Sequence, residues 1–479
     1  MPLNAKLFSA FYGRARAFRA ALRLAPLALA LLSWSQPLAA ATSDFKVYES
    51  LKILARVFYE VNSRFVEEPD NATLVHGAVR GMLSSLDPHS SFFTADEMVE
   101  LRQETSGAFS GVGVEITMKE NVITVVSPIE DTPAFRAGIH SGDQIVSIDG
   151  KPAIDMNLME AVKFIRGPVG SSVTFTIARP GVREPFEITV VRAKIPLISV
   201  RTQEMGSGIG YIHIRNFQGG TTAELEKAVK ELAAKKSLDG IILDLRNDPG
   251  GLLDQSVAVS GLFLGRVPVV ETRGRREDQD VIYKSEKGAI VPLGAPMVVL
   301  VNEGSASASE IVAGALQDYG RALIVGTRTF GKGSVQSIVP LPDGSGMRLT
   351  TARFYTPTGR SIQIEGIVPD VLVRNPLPPD YQAPREEDLE GHLRGADEAP
   401  GAKSPTPAPA PEEEADPEPY VPPDKHFSQM TPDERLAADK QLATAFNLLK
   451  NGEVTNVFTG EPKEPAAPLA QRDDLPEEG

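Results

Sequence analysis

The chain has 479 residues, which is more than one hydrophobic core normally organises, and its 42% of apolar residues is ample for two or three domains. Its formal charge of −14 at pH 7 makes it a poor binder of nucleic acid. The chain has no cysteine, which excludes disulfides, a thiolate nucleophile and a cysteine-ligated metal. The six histidines show no close ligand spacing, so we predict neither a metal site nor a cofactor.

Residues 1–41 have the pattern of a secretory signal peptide: five basic residues precede an apolar run at 24–32, and three alanines follow at 39–41. The alternative is an uncleaved anchor that keeps the chain at a membrane, but the apolar run is too short to span a bilayer. We expect cleavage near Ala40 or Ala41. The removed segment has no acidic residue, so the mature charge would change from −14 to −19.

Residues 42–106 form the next region, and they carry apolar residues at helical spacing. These include Leu51, Leu54, Val57, Phe58 and Val61. The spacing predicts an N-terminal helical region of two to four helices. Pro88 restricts the residue before it to extended geometry, so we expect the segment Ser85–Phe93 to end one of these helices.

Residues 107–194 change to β-branched runs separated by glycines, with one helical pattern from Leu158 to Ile165. This predicts a small, mostly antiparallel module with one main helix. In residues 195–375 strands alternate with helices, which predicts an α/β core with partly parallel pairing. Chemistry in such a core is expected in loops at the carboxyl ends of its strands.

Residues 376–430 are rich in Pro, Glu and Ala, a composition that predicts a disordered linker. In the last region, 431–479, Thr431 is a helix cap, Pro432 occupies the first turn and Glu434 stands at the capping-box position. The predicted fold class is therefore a multidomain α+β and α/β chain with a helical N-terminal segment and a disordered C-terminal tail.

Ser307 and Lys332 are the leading candidates for chemistry. A serine becomes a nucleophile when a base accepts its proton, and a lysine is such a base when burial keeps its amine neutral. Ser307 precedes a predicted helix, where the N–H of Ala308 is free to stabilise an oxyanion. Ser305 and Ser309 compete for the same role, and any of the three serines could instead be a helix cap.

A second oxyanion donor could come from Gly250 or Gly251, where the backbone can approach a substrate closely. The alternative is that this glycine pair only forms a turn. Gln336 follows Lys332 by four residues and could orient its amine by a hydrogen bond.

Two rival readings involve the same segments. Residues 326–332 fit the first seven positions of a phosphate-binding Walker A loop, but Gly333 stands where a hydroxyl must hold magnesium. A histidine from elsewhere, such as His213, could replace the lysine as the base of a serine triad, although no histidine lies in either segment.

Five stretches occur in a characteristic order along the chain: Ser85–Phe93, Gly111–Glu115, Leu243–Leu252, Gly304–Asp318 and Thr329–Gln336. In this order they resemble the carboxy-terminal processing (tail-specific) peptidases, an exported family of Ser-Lys endopeptidases with a PDZ domain. The resemblance covers roughly residues 44–375.

The resemblance implies a role for each matching residue. Ser307 would be the nucleophile, Lys332 the base and Gln336 the residue that assists the lysine. The oxyanion donors would be Ala308 and one glycine of the 250–251 pair.

The module at 107–194 resembles the PDZ domain. By that resemblance, backbone amides of one loop would bind the terminal carboxylate of a peptide that adds as an edge strand. The loop residues are Gly111, Val112, Gly113 and Val114. Arg166 stands where relatives use an arginine to couple substrate capture to the active site; the alternative is a surface charge beside a turn.

The resulting hypothesis is a serine endopeptidase that cleaves proteins of a bacterial periplasm, recognised by their C-terminal tails. Its expected partners are unfolded or C-terminally exposed protein substrates, an adaptor protein and further copies of itself. The alternative is a catalytically silent PDZ scaffold that binds tails without cutting them.

Overall fold

The structure is a computed structural model that describes most of the chain after the predicted signal peptide. The described residues are 38–105, 107–119, 122–129, 131–154, 156–235, 238–376, 383–395, 430–454 and 460–462. Residues 1–37 of the predicted signal peptide (1–41) and most of the predicted linker and tail lie outside these ranges, whereas residues 38–41 are described as the start of the first helix. Among the described helices, none combines the length and apolar character needed to cross a membrane.

The chain divides into two compact units, with the boundary between Val79 and Arg80. Helix α1 covers Leu38–Arg64 and helix α2 covers Asn71–Ser84. Asp70 caps α2, since its carboxylate accepts the N–H of Thr73 at 2.8 Å. The predicted helical region is confirmed, and α2 ends at the predicted position.

After α2 the chain forms a short strand and a helix and continues into the predicted antiparallel module. The elements are β1 Ser91–Phe93, α3 Ala95–Thr105, β2 Ala108–Gly111, β3 Val114–Lys119, β4 Val122–Pro128, α4 Pro133–Arg136, β5 Gln144–Ile148, β6 Lys151–Pro152, α5 Leu158–Ile165, β7 Ser172–Ala178, β8 Phe186–Val191 and β9 Ala193–Pro196. The main sheet has the order β3-β4-β5-β7-β8 and is antiparallel, with β6 paired to β5. Its core is made of fully buried side chains, including Ile123, Ile148, Phe175 and Ile177. Asn157 and Glu160 form a capping box on α5, the predicted main helix.

The α/β core follows. Its elements are β10 Val200–Glu204, β11 Ile209–Ile214, α6 Thr221–Lys235, β12 Gly240–Asp244, α7 Leu253–Leu264, β13 Pro268–Gly274, β14 Val281–Lys284, β15 Met297–Val301, α8 Ala308–Asp318, β16 Leu323–Gly326, β17 Ser334–Pro340, β18 Gly346–Tyr355 and β19 Val371–Leu372. One sheet has the order β10-β11-β12-β15-β16-β19, in which only β10 pairs antiparallel. The predicted partly parallel core is confirmed.

A second, antiparallel sheet was not anticipated. It has the order β1-β18-β13-β14, with β17 also paired to β18. Through this sheet Ser91 in β1 lies opposite Arg348 in β18. The segment 85–93 therefore contacts the strands that follow Lys332.

Two helices close the described chain, α9 at Pro432–Ala438 and α10 at Lys440–Lys450. Thr431 caps α9 in a capping box with Glu434, as predicted. The helical conformation is interrupted at Asp439. The side chain of Asp439 accepts the N–H of Leu442 and caps the second helix. The buried face of α10 packs in one hydrophobic cluster with the parallel sheet. Its members include Leu442, Ala445, Phe446, Leu449, Ile242, Val298 and Leu300.

Residues 383–395 belong to the segment predicted as a disordered linker, yet they are ordered here. A 3₁₀ turn covers Glu386–Asp388, and the side chain of Glu386 is fully buried. Its N–H donates to the carbonyl of Phe330 at 3.2 Å. Composition did not predict this contact, because the average composition of a polar segment does not show that one of its polar residues is buried.

Candidate active site

Ser307 lies in the turn between β15 and α8, and its backbone has φ 54° and ψ −110°. A positive φ at a residue other than glycine costs on the order of 1–3 kcal/mol and persists only where surrounding contacts hold it. Such strained residues concentrate at functional sites. The conformation of Ser307 therefore needs a specific support.

The two neighbouring serines have structural roles. Ser305 is fully buried, and its hydroxyl donates to the carbonyl of Leu245 at 2.7 Å. Ser309 is also fully buried, and its hydroxyl donates to the carbonyl of Asp248 at 3.0 Å. Ser307 is half-buried, so it alone of the three reaches the surface.

Glu310 supplies the support for Ser307. Its carboxylate is fully buried, and Oε2 accepts the N–H of Ser307 at 2.7 Å and the N–H of Lys332 at 2.9 Å. The two backbone nitrogens bond the same oxygen atom, so they cannot be farther apart than the sum of those distances. The other oxygen, Oε1, accepts the N–H of Gly331 at 2.7 Å and the hydroxyl of Thr329 at 2.5 Å. One carboxylate thus joins the serine turn to the lysine loop.

The protonation of Glu310 is poised between opposing effects. Burial raises its pKa, the donors from Thr329, Gly331, Ser307 and Lys332 lower it, and the net result is a pKa raised to about 7. Each carboxylate oxygen accepts two of these four donors, so the arrangement favours the ionised form.

Lys332 is half-buried in the loop between β16 and β17. Burial lowers the pKa of its amine, and the carboxylate of Glu386 is the largest opposing charge. The Arg348 guanidinium adds to the lowering, whereas the carboxylates of Glu310 and Asp87 oppose it. The net direction favours the neutral amine that a general base needs.

The loop around Lys332 is closely packed on both sides. A Cβ on Gly331 would lie 2.5 Å from the carbonyl oxygen of Ile364, and one on Gly333 would lie 2.1 Å from the nitrogen of Gln363. Only glycine fits at these positions. The N–H groups of Gly331 and Lys332 point to a carboxylate, and that of Gly333 donates to Gln363 Oε1 at 3.0 Å. The loop therefore has no free N–H cradle for phosphates, which disfavours the nucleotide-binding alternative.

Within the described residues, no hydrogen bond joins the Ser307 hydroxyl to the Lys332 amine. Gln336 lies in β17, and its amide nitrogen donates to Ser334 Oγ at 2.9 Å and to Thr350 Oγ1 at 3.5 Å. The predicted contact between Gln336 and the lysine is not made in this form. Catalytic hydrogen bonds are often formed only when substrate binds, so the roles of these residues stay predictions.

His213, the alternative base, lies in β11 opposite Asp244 of the neighbouring strand. Burial lowers the pKa of its imidazole, and the Asp244 carboxylate opposes this effect. Among the described residues no hydrogen bond connects it with Ser307.

The glycine pair lies against the serine turn. A Cβ on Gly250 would lie 2.8 Å from the nitrogen of Ala308 and 3.0 Å from Ser307 Cβ, whereas one on Gly251 would lie 2.0 Å from the carbonyl oxygen of Phe217. Gly250 is thus the glycine that contacts the serine turn. Its N–H donates to Asp248 Oδ1 at 2.8 Å, while the N–H of Ala308 is used by no hydrogen bond in the described residues.

Asp248 is fully buried beneath this loop. Its Oδ2 has no hydrogen-bond partner among the described residues, and burial raises the pKa of the side chain to about 8. Its carbonyl accepts the N–H of Ala306 at 3.0 Å, which fixes the loop to the serine turn. Burial therefore favours the uncharged carboxylic acid over the carboxylate.

The predicted peptide-binding loop lies at one end of β3, which is an edge strand of its sheet. The carbonyl of Val112 accepts the N–H of Ala134 at 2.8 Å, and the carbonyl of Gly113 accepts the Thr132 hydroxyl at 3.0 Å. Gly113 has φ 80°, and a Cβ there would overlap Thr132. The turn from Gly111 to Val114 is therefore rigid.

Arg166 follows α5, and its guanidinium stacks on the Phe109 ring with 5.2 Å between the guanidinium carbon and the ring centroid. This contact is within the antiparallel module. The structure brings together Ser307, Lys332, Ala308 and Gly250, and it does not bring Arg166 into hydrogen-bonding contact with them.

Three family models match the chain. The activating protease CtpB N-terminal domain matches residues 33–97, the PDZ domain matches 110–190 and Peptidase family S41 matches 208–373. A carboxy-terminal-processing protease of Bartonella bacilliformis is 44% identical over 364 residues, which cover 74% of this chain and 83% of that protein. The chain belongs to the carboxy-terminal processing proteases of peptidase family S41.

As a carboxy-terminal processing protease the chain is a serine-type peptidase with a PDZ domain. The carboxy-terminal processing protease CtpB of Bacillus subtilis is 35% identical over 345 residues, 71% of each chain. The solved photosystem II D1 C-terminal processing protease is 33% identical with a TM-score of 0.41, and the match covers 66% of this chain and 85% of that one.

Sequence reasoning assigned no role to Glu310, although a signal was present. A serine followed three positions later by a glutamate at a helix start is the capping-box pattern, and it indicates a carboxylate folded back on the turn. Glu386 also contacts the lysine loop, and His89 contacts Glu386, but 297 positions separate these two residues in the chain. No local pattern could have paired them.

Proposed function

We propose that this protease cleaves periplasmic proteins with a dyad of Ser307 and Lys332, after its PDZ domain has captured their C-terminal tails. The observation that carries the proposal is the shared carboxylate of Glu310, which bonds the backbone N–H groups of both residues through one oxygen. A buried carboxylate at this place fixes the nucleophile and the base relative to each other. Such positioning is a large part of catalytic power.

In the proposed reaction the neutral amine of Lys332 accepts the proton of Ser307 Oγ, and Oγ forms a bond to the carbonyl carbon of the substrate peptide. The carbonyl oxygen becomes an oxyanion. The Lys332 ammonium then donates its proton to the departing amine nitrogen as the peptide bond breaks, which leaves an ester on Ser307. Lys332 next takes a proton from water, the hydroxide attacks the ester, and the proton returns to Ser307.

The oxyanion would be stabilised by the N–H of Ala308 and by one N–H of the 250–251 loop. Gly250 contacts the serine turn, which supports its selection, but its N–H is held by Asp248 in the present form. The active form therefore needs this N–H to turn away from Asp248, or needs Gly251 to donate instead. It also needs the hydroxyl of Ser307 to meet the amine of Lys332, with Gln336 orienting that amine.

Tail capture is assigned to the PDZ domain. The peptide would add to the free edge of β3 beside α5, and its terminal carboxylate would bond the N–H groups of the rigid turn from Gly111 to Val114. Arg166 follows α5 and would couple capture to the active site. Its stacking on Phe109 supports a role at this end of the domain.

The site of action would be the bacterial periplasm, because residues 1–41 have the pattern of an export signal. Membrane association would follow if that segment were retained. The partners would be unfolded or C-terminally exposed proteins, an adaptor protein and further copies of the chain, and no cofactor takes part in the proposed reaction.

The test uses the purified mature protein and an unfolded substrate that ends in apolar residues, together with the same substrate ending in acidic residues. Cleavage of the first substrate should be lost in Ser307→Ala and Lys332→Ala, while both variants still bind the apolar tail. Lys332→Arg is the matched control, because it keeps a cation that cannot become neutral. Cleavage that survives in Ser307→Ala would overturn the dyad. A wild type that binds tails and never cuts would support the silent scaffold.

A further inference from the structure

Glu386 lies beyond residue 373, where the match to the peptidase family ends, and its carboxylate is fully buried. His89 Nε2 lies 2.8 Å from one carboxylate oxygen and 3.0 Å from the other. Gln363 Nε2 donates to Glu386 Oε1 at 3.0 Å. A buried carboxylate requires such partners, since an unpaired charge in the interior is costly.

Glu386 and its amide partner hold both sides of the lysine loop. The N–H of Glu386 donates to the carbonyl of Phe330, and Gln363 Oε1 accepts the N–H of Gly333 at 3.0 Å. The carboxylate of Glu386 thus lies beside the segment that carries Lys332. Its negative charge opposes loss of the lysine proton.

His89 is fixed independently of Glu386. Asp87 Oδ1 accepts the N–H of His89 at 2.8 Å and the hydroxyl of Thr350 at 3.1 Å. The same Thr350 hydroxyl oxygen accepts the amide of Gln336. The side chain of His89 is 14% exposed, whereas Glu386 is not exposed at all. The side chain of His89 therefore reaches solvent, whereas the carboxylate of Glu386 does not.

We propose that His89 and Glu386 are a positioning pair that sets how readily Lys332 gives up its proton, an inference that rests on the proposed role of Lys332 as base. The negative charge of Glu386, when His89 does not balance it, helps to keep the proton on the lysine. A positive charge on His89 offsets the charge of Glu386, so Lys332 loses its proton more readily.

Other charged groups near Lys332 have their own partners or belong to fixed supports. Those that face Lys332 are Arg348, Glu310 and Asp87, besides Glu386. The segment that carries Glu386 adds three more charged groups: Arg385 Nη1 donates to the carbonyl of Thr329, Glu387 lies 3.7 Å from Arg328, and Asp388 accepts the N–H of Arg385.

Two uncharged variants should act in opposite directions. Glu386→Gln removes the negative charge, so the rising limb of the pH profile of kcat/KM should move to lower pH by about half a unit or more. His89→Gln keeps an N–H donor and removes the positive charge, so the limb should move to higher pH. Glu387→Gln is the matched control in the same turn and should leave the limb in place.

The experiment measures kcat/KM for one peptide substrate from pH 5 to pH 10, with thermal unfolding of each variant at the same pH values. A second readout follows acetylation of Lys332 by mass spectrometry against pH in the Ser307→Ala background, and it needs no activity. Opposite shifts in the two variants support the pair. If the rising limb of the pH profile stays in place in folded variants, or moves in the same direction in both, the proposed pair is overturned.

The failure of the proposed function is distinguishable from failure of the pair. If neither the wild-type rate nor the acetylation of Lys332 in the Ser307→Ala background shows a rising limb, both proposals are overturned, because the lysine then is not the base. A wild type with that limb and variants that do not move it overturns the pair alone. If His89→Gln fails to fold, the direction of the shift in Glu386→Gln decides the question.

Discussion

Glu310 Oε2 accepts the backbone N–H of Lys332 at 2.9 Å, and the same oxygen accepts the backbone N–H of Ser307, the residue with the strained conformation. The link is through backbone atoms, so it positions both side chains without occupying either. A carboxylate in this place leaves the hydroxyl and the amine available for chemistry.

Glu310→Gln should damage catalysis more than substrate binding. An amide nitrogen cannot accept the N–H groups that one carboxylate oxygen now accepts, so either the serine turn or the lysine loop must move. A displacement of about 1 Å can cost about 10²-fold in rate, and we expect kcat to fall by about that factor with little change in KM. Steady-state kinetics on a peptide substrate check this, and an unchanged kcat in a folded variant would contradict it.

Activity should rise with pH through the pKa of Lys332 in the folded protein. Burial lowers that pKa from its ordinary value of 10.5, so the neutral amine appears at lower pH than in a free lysine. The rate should be lost as the pH falls through this value, because the protonated amine cannot accept the proton of Ser307. Initial rates between pH 5 and pH 10 provide the measurement. A flat profile would argue against a lysine base.

Asp248→Asn should flatten the dependence of stability on pH. The pKa of Asp248 is raised from 3.8 to about 8 by burial, so the folded chain holds a proton that the unfolded chain releases above pH 4. The free energy of unfolding therefore falls as the pH rises from about 4 to 8. An asparagine has no such proton, and Oδ1 can still accept the N–H of Gly250.

The variant should be more stable than the wild type at pH 8 by at least about 1 kcal/mol, and the difference should shrink toward pH 5. Urea unfolding at the two pH values measures this. An equal difference at both pH values would mean that Asp248 is not the titrating group.

Arg246→Ala should destabilise the attachment of the C-terminal helices. Arg246 lies in a buried network with Asp244 at 2.6 Å and Asp439 at 2.8 Å. Removing the only cation of this trio leaves two buried carboxylates uncompensated, which costs about 3–5 kcal/mol. Thermal or urea unfolding of the full chain checks the loss. Asp439→Asn, which leaves the pair with Asp244 intact, should cost less.

Much of the fold follows from local patterns. The alternation of strands and helices in residues 195–375 was predictable because strands such as β11 and β15 are rich in apolar residues and lie inside the parallel sheet, with only His213 of β11 partly exposed. Helix α5 has its predicted bounds because its apolar spacing is sharp and an asparagine caps it. The cap at Thr431 was predictable for the same reason, since all of its groups lie within four residues.

The rest depends on contacts between distant segments. The antiparallel sheet joins β1 to β18, more than 250 positions later, and no periodicity reports such a pairing. The expected contact of Gln336 with Lys332 relied on spacing alone, but Gln336 lies in a strand whose pairing turns its amide to Thr350. The roles of Ser307 and Lys332 were expected from their motifs, whereas the carboxylate that joins their backbones became evident only in three dimensions.

The contact between His89 and Glu386 also bears on when the molecule becomes complete. One partner leaves the ribosome early, and the other follows about 300 residues later. A nascent chain that has emerged only to β19 already contains both residues of the proposed dyad. It still lacks Glu386, whose N–H donates to the carbonyl of Phe330 in the lysine loop. The contacts around the lysine loop are complete only once Glu386 has emerged, so a chain that has emerged only to β19 cannot form them.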